Sequence, residues 1–291
     1  MQRKFTKSIK FVETMNGKSI VIMGATSGIG REVAENLARR GWKVGACGRR
    51  NELLESLKAE YPESISTMQT DVNSPDAAGR LSAFIKSLDA RTYLHCSGIG
   101  WQNVQLESEK EIATVRTNGE GFARCVGEAF RCFSATGGHI AVISSIAGTK
   151  GLGPAPAYSA TKRFQNTYID ALEQLAWQRH LGIKFTDIRP GFVATDLINN
   201  GKGYPMVLRK EKVAESVIKA IERKRRVAVI DSRYSLLVAL WRCIPRFLWK
   251  RLPIVRANKK TVDEHGRSCR NHTDFPKPLK TRRISQISKI L

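Results

Sequence analysis

Short apolar runs alternate along the chain with longer stretches whose apolar positions recur every three or four residues, a pattern that starts at Lys18. Runs at 19–23, 43–47, 65–70, 92–96, 139–144, 184–188 and 227–230 are four to six residues long and predict strands. Between them, 28–40, 52–60, 75–88, 112–133, 157–178 and 211–223 carry helical spacing; Ile29, Val33 and Leu37 in the first of these share one face. Repeated strand–helix–strand units bury their apolar faces by laying parallel strands side by side under crossover helices. The predicted fold class is therefore α/β, a doubly wound parallel sheet of about seven strands. After Asp231 the pattern changes, first to a segment rich in Leu, Trp and Arg (235–252), then to a basic, polar tail with little periodicity (255–291). The expected organisation is a domain at 18–231, an amphipathic helical extension at 232–254 and a weakly ordered tail at 255–291.

Composition adds limits. A chain of 291 residues, 42% hydrophobic, suffices for one large domain with a substantial core. The formal charge of +23 is uneven: +3 falls in 1–17, +12 in 233–291, and +8 in the long middle. The excess sits at the ends, so it describes an appended surface more than the core. Cys47, Cys96, Cys125, Cys132, Cys243 and Cys269 are scattered with no C-x-x-C pair, which argues against a zinc site or a disulfide framework and suits a reducing compartment. The first seventeen residues lack the apolar stretch of a signal peptide, and no segment reaches the ~18 uninterrupted apolar residues of a membrane span. The expected setting is cytoplasmic, with no metal.

The first strand runs into Gly24-Ala25-Thr26-Ser27-Gly28-Ile29-Gly30, where a helix begins. Glycines permit a tight turn and bring backbone N–H groups close to phosphate oxygens, and a helix N-terminus favours anions. A plain structural turn is the competing explanation; the strand–loop–helix context favours a dinucleotide cradle. The end of the second strand in such sheets meets the adenosine ribose, where an acid would select NAD. Here stand Gly48, Arg49 and Arg50, with no acid before Glu52. A guanidinium suits a 2′-phosphate, so Arg49, with Arg50 beside it, points to NADP(H). The alternative for both arginines is a solvated helix start.

Tyr158 and Lys162 stand four residues apart on a predicted helix, hence on one face, one turn apart. A phenol with a reference pKa of ~10 exchanges protons near neutrality only beside positive charge, which Lys162 can supply. The pair alone is common on helices. Ser145 strengthens it: it lies thirteen residues before Tyr158, just past a strand end, where parallel sheets build their active sites.

The glycine loop and the Ser145–Tyr158–Lys162 order together resemble the short-chain dehydrogenase/reductase family over about 18–230. The resemblance implies a Rossmann-type fold and hydride exchange between a nicotinamide and a carbonyl or alcohol carbon. Tyr158 is then the acid–base group, Ser145 a hydrogen-bond donor to the reacting oxygen, and Lys162 the modulator of Tyr158 and a contact to the nicotinamide ribose. It implies a fourth catalytic residue in Asn118, holding a water in the proton relay; by itself a helical Asn is more often a local hydrogen-bonder. It further implies an adenine contact at Asp71 and Val72, and cofactor contacts at Gly98, Pro190, Gly191, Val193 and Thr195. It also implies a homo-oligomer. The chain departs from the family where N-N-A-G is usual: it reads His95-Cys96-Ser97-Gly98, which puts the local cofactor contacts in question and leaves His95 as a replacement hydrogen-bonder or a core residue. The substrate is a small carbonyl or alcohol compound. The segments that would select it are 98–110, 148–157 and 197–207.

In 235–252, Arg242, Arg246 and Lys250 recur at i, i+4 and i+8, with Leu237, Trp241, Ile244 and Leu248 on a roughly opposite face and Pro245 as a kink. Such a helix fits either an anionic membrane surface, implying a hydrophobic, ketoacyl- or ketosphingoid-like substrate, or a packing role over the cleft or against another subunit. The 255–291 tail has basic pairs but no nucleic-acid motif, so no specific nucleic-acid partner is expected. A non-catalytic NADP-binding sensor on the same fold is the remaining alternative, and Ser145, Tyr158, Lys162 and Asn118 argue against it.

Overall fold

The computed structural model describes residues 18–195 and 206–252. All lie in the first of the chain's two compact units, Met1–Val255; the second, Arg256–Leu291, falls outside the described residues, as does most of the 197–207 segment. In chain order the elements are β1 (Ser19–Met23), α1 (Gly28–Arg39), β2 (Lys43–Gly48), α2 (Asn51–Glu60), β3 (Ile65–Gln69), α3 (Ala77–Ser87) and β4 (Thr92–His95). There follow α4 (Ser108–Val115), a π-helical turn (Arg116–Gly121), α5 (Phe122–Phe133), β5 (Gly138–Ile143), a 3-10 turn (Ile146–Thr149) and α6 (Pro156–Gln178). The described part closes with β6 (Ile183–Arg189), α7 (Lys210–Glu222), β7 (Val227–Val229), α8 (Ser232–Cys243) and α9 (Arg246–Trp249). The strands form one parallel sheet of seven, ordered β3-β2-β1-β4-β5-β6-β7, so the direction of winding reverses between β1 and β4.

Alternate strand residues feed two apolar layers, which is why the strands read as nearly continuous apolar runs. Ile20 and Ile22 of β1 face a layer built with Val33 and Leu37 of α1, Leu54 of α2 and Val217 of α7. Val21 and Met23 face the opposite layer with Leu81 of α3, Phe122 and Val126 of α5, and Ile169 of α6. With both faces covered, only the strand ends remain for a site, and the carboxyl ends at the winding reversal form the crevice.

Two elements differ from the sequence expectation. The single helix expected over 112–133 is interrupted by the π-turn that contains Asn118. The C-terminal segment is two helices, broken at Ile244-Pro245 where the proline ring prevents a continuous ladder. Of its residues, Tyr234 and Val238 are buried in the first apolar layer, with Leu237 and Trp241 packed against it.

Candidate active site

β1 delivers the glycine loop into the crevice. Gly24 has φ +93°, and a Cβ there would stand 2.7 Å from the Ser97 backbone nitrogen. On Gly30 a Cβ would lie 2.1 Å from the Gly24 carbonyl oxygen, so the loop and the first turn of α1 close only as glycines. Among the described residues no side chain caps the N-terminus of α1 and no acid sits in its first turn. The free N–H groups and dipole there remain available to an anion. Thr195 lies against this loop, its Cγ2 3.3 Å from where a Gly28 Cβ would be.

From the end of β2, Arg50 turns back over the loop and donates to Thr26 Oγ1 at 2.9 Å and Ser27 Oγ at 2.7 Å. Arg49, the residue the sequence favoured, is largely exposed and pairs loosely with Asp71 at 3.9 Å. Asp71 accepts the Asn73 backbone N–H at 2.9 Å, and Val72 is buried against Gly121 of the π-turn. The loop, both arginines, Asp71 and Val72 thus share one end of the crevice. A glycine cradle, an uncapped helix start and a guanidinium over it fit a dinucleotide.

At the other end, Ser145 leaves β5 as the cap of the 3-10 turn, its Oγ accepting the Ala147 N–H at 3.1 Å. Its hydroxyl also faces the Tyr158 phenol, a polar neighbour that partly offsets the burial pushing that phenol above its ordinary value. The ring of Tyr158 packs on Gly100, where a Cβ would stand 2.3 Å from it. Lys162 is buried one turn on, with Nζ 5.7 Å from the Tyr158 ring centroid and donating to the Ile143 carbonyl at 3.0 Å. Burial lowers the Lys162 ammonium to about 8, against the opposing charge of Asp187 and the influence of Cys96.

Asn118 is fully buried. Its amide oxygen accepts the Ile99 N–H at 2.9 Å, and its nitrogen donates to the Ile99 carbonyl at 2.7 Å, fixing the loop that carries Gly98. Pro190 accepts the Ile146 N–H at 3.1 Å, Gly191 lies against the Tyr234 ring, and Val193 bridges Leu208, so this segment is held beside Ser145. His95 is a core residue, bonded to the Tyr93 hydroxyl at 2.8 Å and set edge-on to Phe122.

The sequence reading missed the polar groups behind the triad. Gln165 joins Lys162 to the Asn118 carbonyl. Asn166 donates to Ser144 Oγ at 3.0 Å and to Asp187 at 2.8 Å, and Arg189 donates to Asp187 through Nε at 2.8 Å. The available signal was Gln165-Asn166 itself, two amides interrupting the apolar stripe of a buried helix. Glu111 of α4 accepts the Ala157 N–H at 3.1 Å and so caps the helix that bears Tyr158.

The family description "short chain dehydrogenase" matches residues 18–203. The chain belongs to this family of nicotinamide-dependent oxidoreductases. It is 31% identical over 221 residues to an uncharacterized oxidoreductase of Myxococcus xanthus, covering 72% of this chain and 85% of that protein. An uncharacterized oxidoreductase of Mycobacterium tuberculosis is 30% identical over 249 residues, 80% of this chain and 96% of the relative. Among solved structures, a short-chain dehydrogenase of Burkholderia cenocepacia in complex with NADP superposes with TM-score 0.70 at 17% identity, covering 81% of this chain and 97% of that one. That likeness concerns the fold.

Proposed function

We propose that the chain is an NADPH-dependent reductase that converts a carbonyl compound to an alcohol. The observation that carries this reading is the convergence of Ser145, Tyr158 and Lys162 at the carboxyl end of β5, with the Ser145 hydroxyl facing the phenol. When bound, the cofactor supplies the hydride. Gly24, Thr26, Ser27, Gly28, Ile29 and Gly30 would hold its diphosphate, Arg50 and Arg49 the 2′-phosphate, and Asp71 and Val72 the adenine. Gly98, Pro190, Gly191, Val193 and Thr195, with Tyr158 and Lys162, would hold the nicotinamide half.

Tyr158 gives its proton to the substrate oxygen as charge develops there. Ser145 donates a hydrogen bond to the same oxygen, a contact that strengthens in the transition state. The Lys162 ammonium stabilises the phenolate left behind, and Asn118 holds Ile99 and the loop over Tyr158 in place. Preference for NADP(H) favours reduction. The bound NADP of the Burkholderia cenocepacia structure is in keeping with this reading. The test is NADPH oxidation against a panel of aldehydes and ketones; exclusive use of NADH, or no turnover at all, would overturn it.

A second observation bears on the partner. Leu236 and Leu240 are exposed on α8, Phe247 and Leu248 on α9, and Leu252 just after it, whereas Leu237 and Trp241 turn inward. Residues 232–252 contain no acid, and Arg242, Arg246, Lys250 and Arg251 flank the exposed apolar positions. Two copies meeting through this face would set cations against cations, whereas an anionic lipid surface complements it. We therefore place 232–254 as a peripheral membrane contact of the 18–231 catalytic domain, which favours a hydrophobic carbonyl substrate. Among the described residues no helix is long and apolar enough to cross a membrane. Lys150 donates to the Ile244 carbonyl at 2.8 Å and Trp249 Nε1 to the Gly151 carbonyl at 2.8 Å, so the contact is tied to the loop following Ser145. Phosphatidylserine vesicles should co-sediment the full chain and not its Leu240→Glu/Phe247→Glu variant. Equal binding, or sedimentation as an oligomer that these changes disrupt, would reassign the face.

A further inference from the structure

Gln165 lies one turn beyond Lys162 on the same face of α6 and is fully buried. Its Oε1 accepts from Lys162 Nζ at 3.0 Å, and its Nε2 donates to the Asn118 main-chain carbonyl at 2.9 Å. The two partners are of opposite kind. An ammonium only donates and a carbonyl only accepts, so a carboxamide satisfies both and its orientation is fixed. A carboxylate would set an oxygen against the Asn118 carbonyl, and an alkyl side chain would satisfy neither. The Asn118 carbonyl sits in the π-turn, where the ordinary helical ladder is broken. Gln165 thus bridges Lys162 and the Asn118 carbonyl through protein atoms alone.

We infer that Gln165 is a positioning residue that holds the Lys162 ammonium beneath the Tyr158 ring by tying it to the Asn118 carbonyl. The inference rests on the reductase reading above.

The sign of the effect on Lys162 follows from the geometry. Removing an acceptor from a buried ammonium destabilises its charged form and lowers its pKa further. The other groups facing Lys162 are Tyr158 on its own helix, Asp187 on β6, and His95 and Cys96 at the end of β4. All stay unchanged when only Gln165 is replaced. Two replacements separate holding from packing. Gln165→Leu keeps the bulk and breaks both hydrogen bonds, whereas Gln165→Ser leaves room for a water that can restore them.

The experiment follows the Lys162 Cε–Hε resonance against pH in the full chain without substrate, assigned by its loss in Lys162→Met. The wild-type midpoint is expected near 8. In Gln165→Leu it should fall by about one unit, and in Gln165→Ser it should stay within about half a unit of wild type. At pH 7.5, kcat in Gln165→Leu should drop about threefold with KM within about twofold, following the charged fraction of Lys162, and Gln165→Ser should regain it. Unchanged titration in Gln165→Leu, or equal displacement in both variants, would overturn the inference. If the wild-type chain reduces no carbonyl compound, the reductase reading fails, while the titration still decides the role of Gln165.

Discussion

Arg50 places its guanidinium 2.7 Å from the Ser27 hydroxyl, joining the end of β2 to the loop that opens α1. The guanidinium is pre-set over the point where the loop, the helix dipole and the crevice meet, and a bidentate fork suits a phosphate there. Arg50→Ala should weaken NADPH binding at least about tenfold while NADH binding changes little, and Arg49→Ala should have the smaller effect of an exposed charge. Isothermal titration with both cofactors checks this; equal losses for NADPH and NADH would remove the assignment of a 2′-phosphate contact.

Tyr158 faces the Ser145 hydroxyl on one side and has the buried Lys162 ammonium beneath its ring. Tyr158→Phe keeps the ring packed on Gly100 and removes only the transferable proton. Turnover should fall by about 10² or more with cofactor affinity within about twofold of wild type. Substantial residual reduction would assign the proton to another group.

Asp187 is completely buried and is shared by Arg189, Asn166 and Ser144, the residue before Ser145. Replacing it with Ala would leave the Arg189 guanidinium uncompensated in the interior, at a cost of about 3–5 kcal/mol. Urea unfolding should show that loss. Asp187→Asn, which retains an acceptor for Arg189, should lose less. A change below about 1 kcal/mol in Asp187→Ala would mean that Arg189 reaches solvent or another acceptor.

The strands and helices were legible because a sheet buried on both faces requires unbroken apolar runs, and crossover helices require apolar positions at 3.6-residue spacing. β1 over 19–23 and α6 beginning near 157 show this directly. The clustering of Ser145, Tyr158 and Lys162 was legible because one strand end and one helix turn bring them together. The π-turn was not, since Arg116-Thr117-Asn118-Gly119 carries no periodicity that separates i+4 from i+5 pairing. Nor was the prominence of Arg50 over Arg49, which depends on which way adjacent side chains leave a strand end. Gln165 escaped notice because its two partners lie three and forty-seven residues away, and only packing joins them.

The buried histidines make the fold sensitive to acid. Burial first, and then the nearby Lys162 charge, lowers His95 to about 3, and burial with Lys224 lowers His139 to about 4. Both are neutral in the native chain at neutral pH, while the unfolded chain takes up protons near the ordinary value of about 6.5. Unfolding therefore binds protons below that value, and stability falls as pH drops from about 6.5 toward 4, by up to about 1.4 kcal/mol per pH unit for each histidine. His95→Asn removes one of these sites and places at this position the residue usual in the family. Its urea midpoint should decline less steeply between pH 7 and pH 5 than that of the wild type, even if Tyr93 loses its partner and the variant starts from a lower value. Parallel declines would show that His95 can take up a proton in the folded chain, and the acid sensitivity would then have to come from His139 and its hydrogen bond to Thr186.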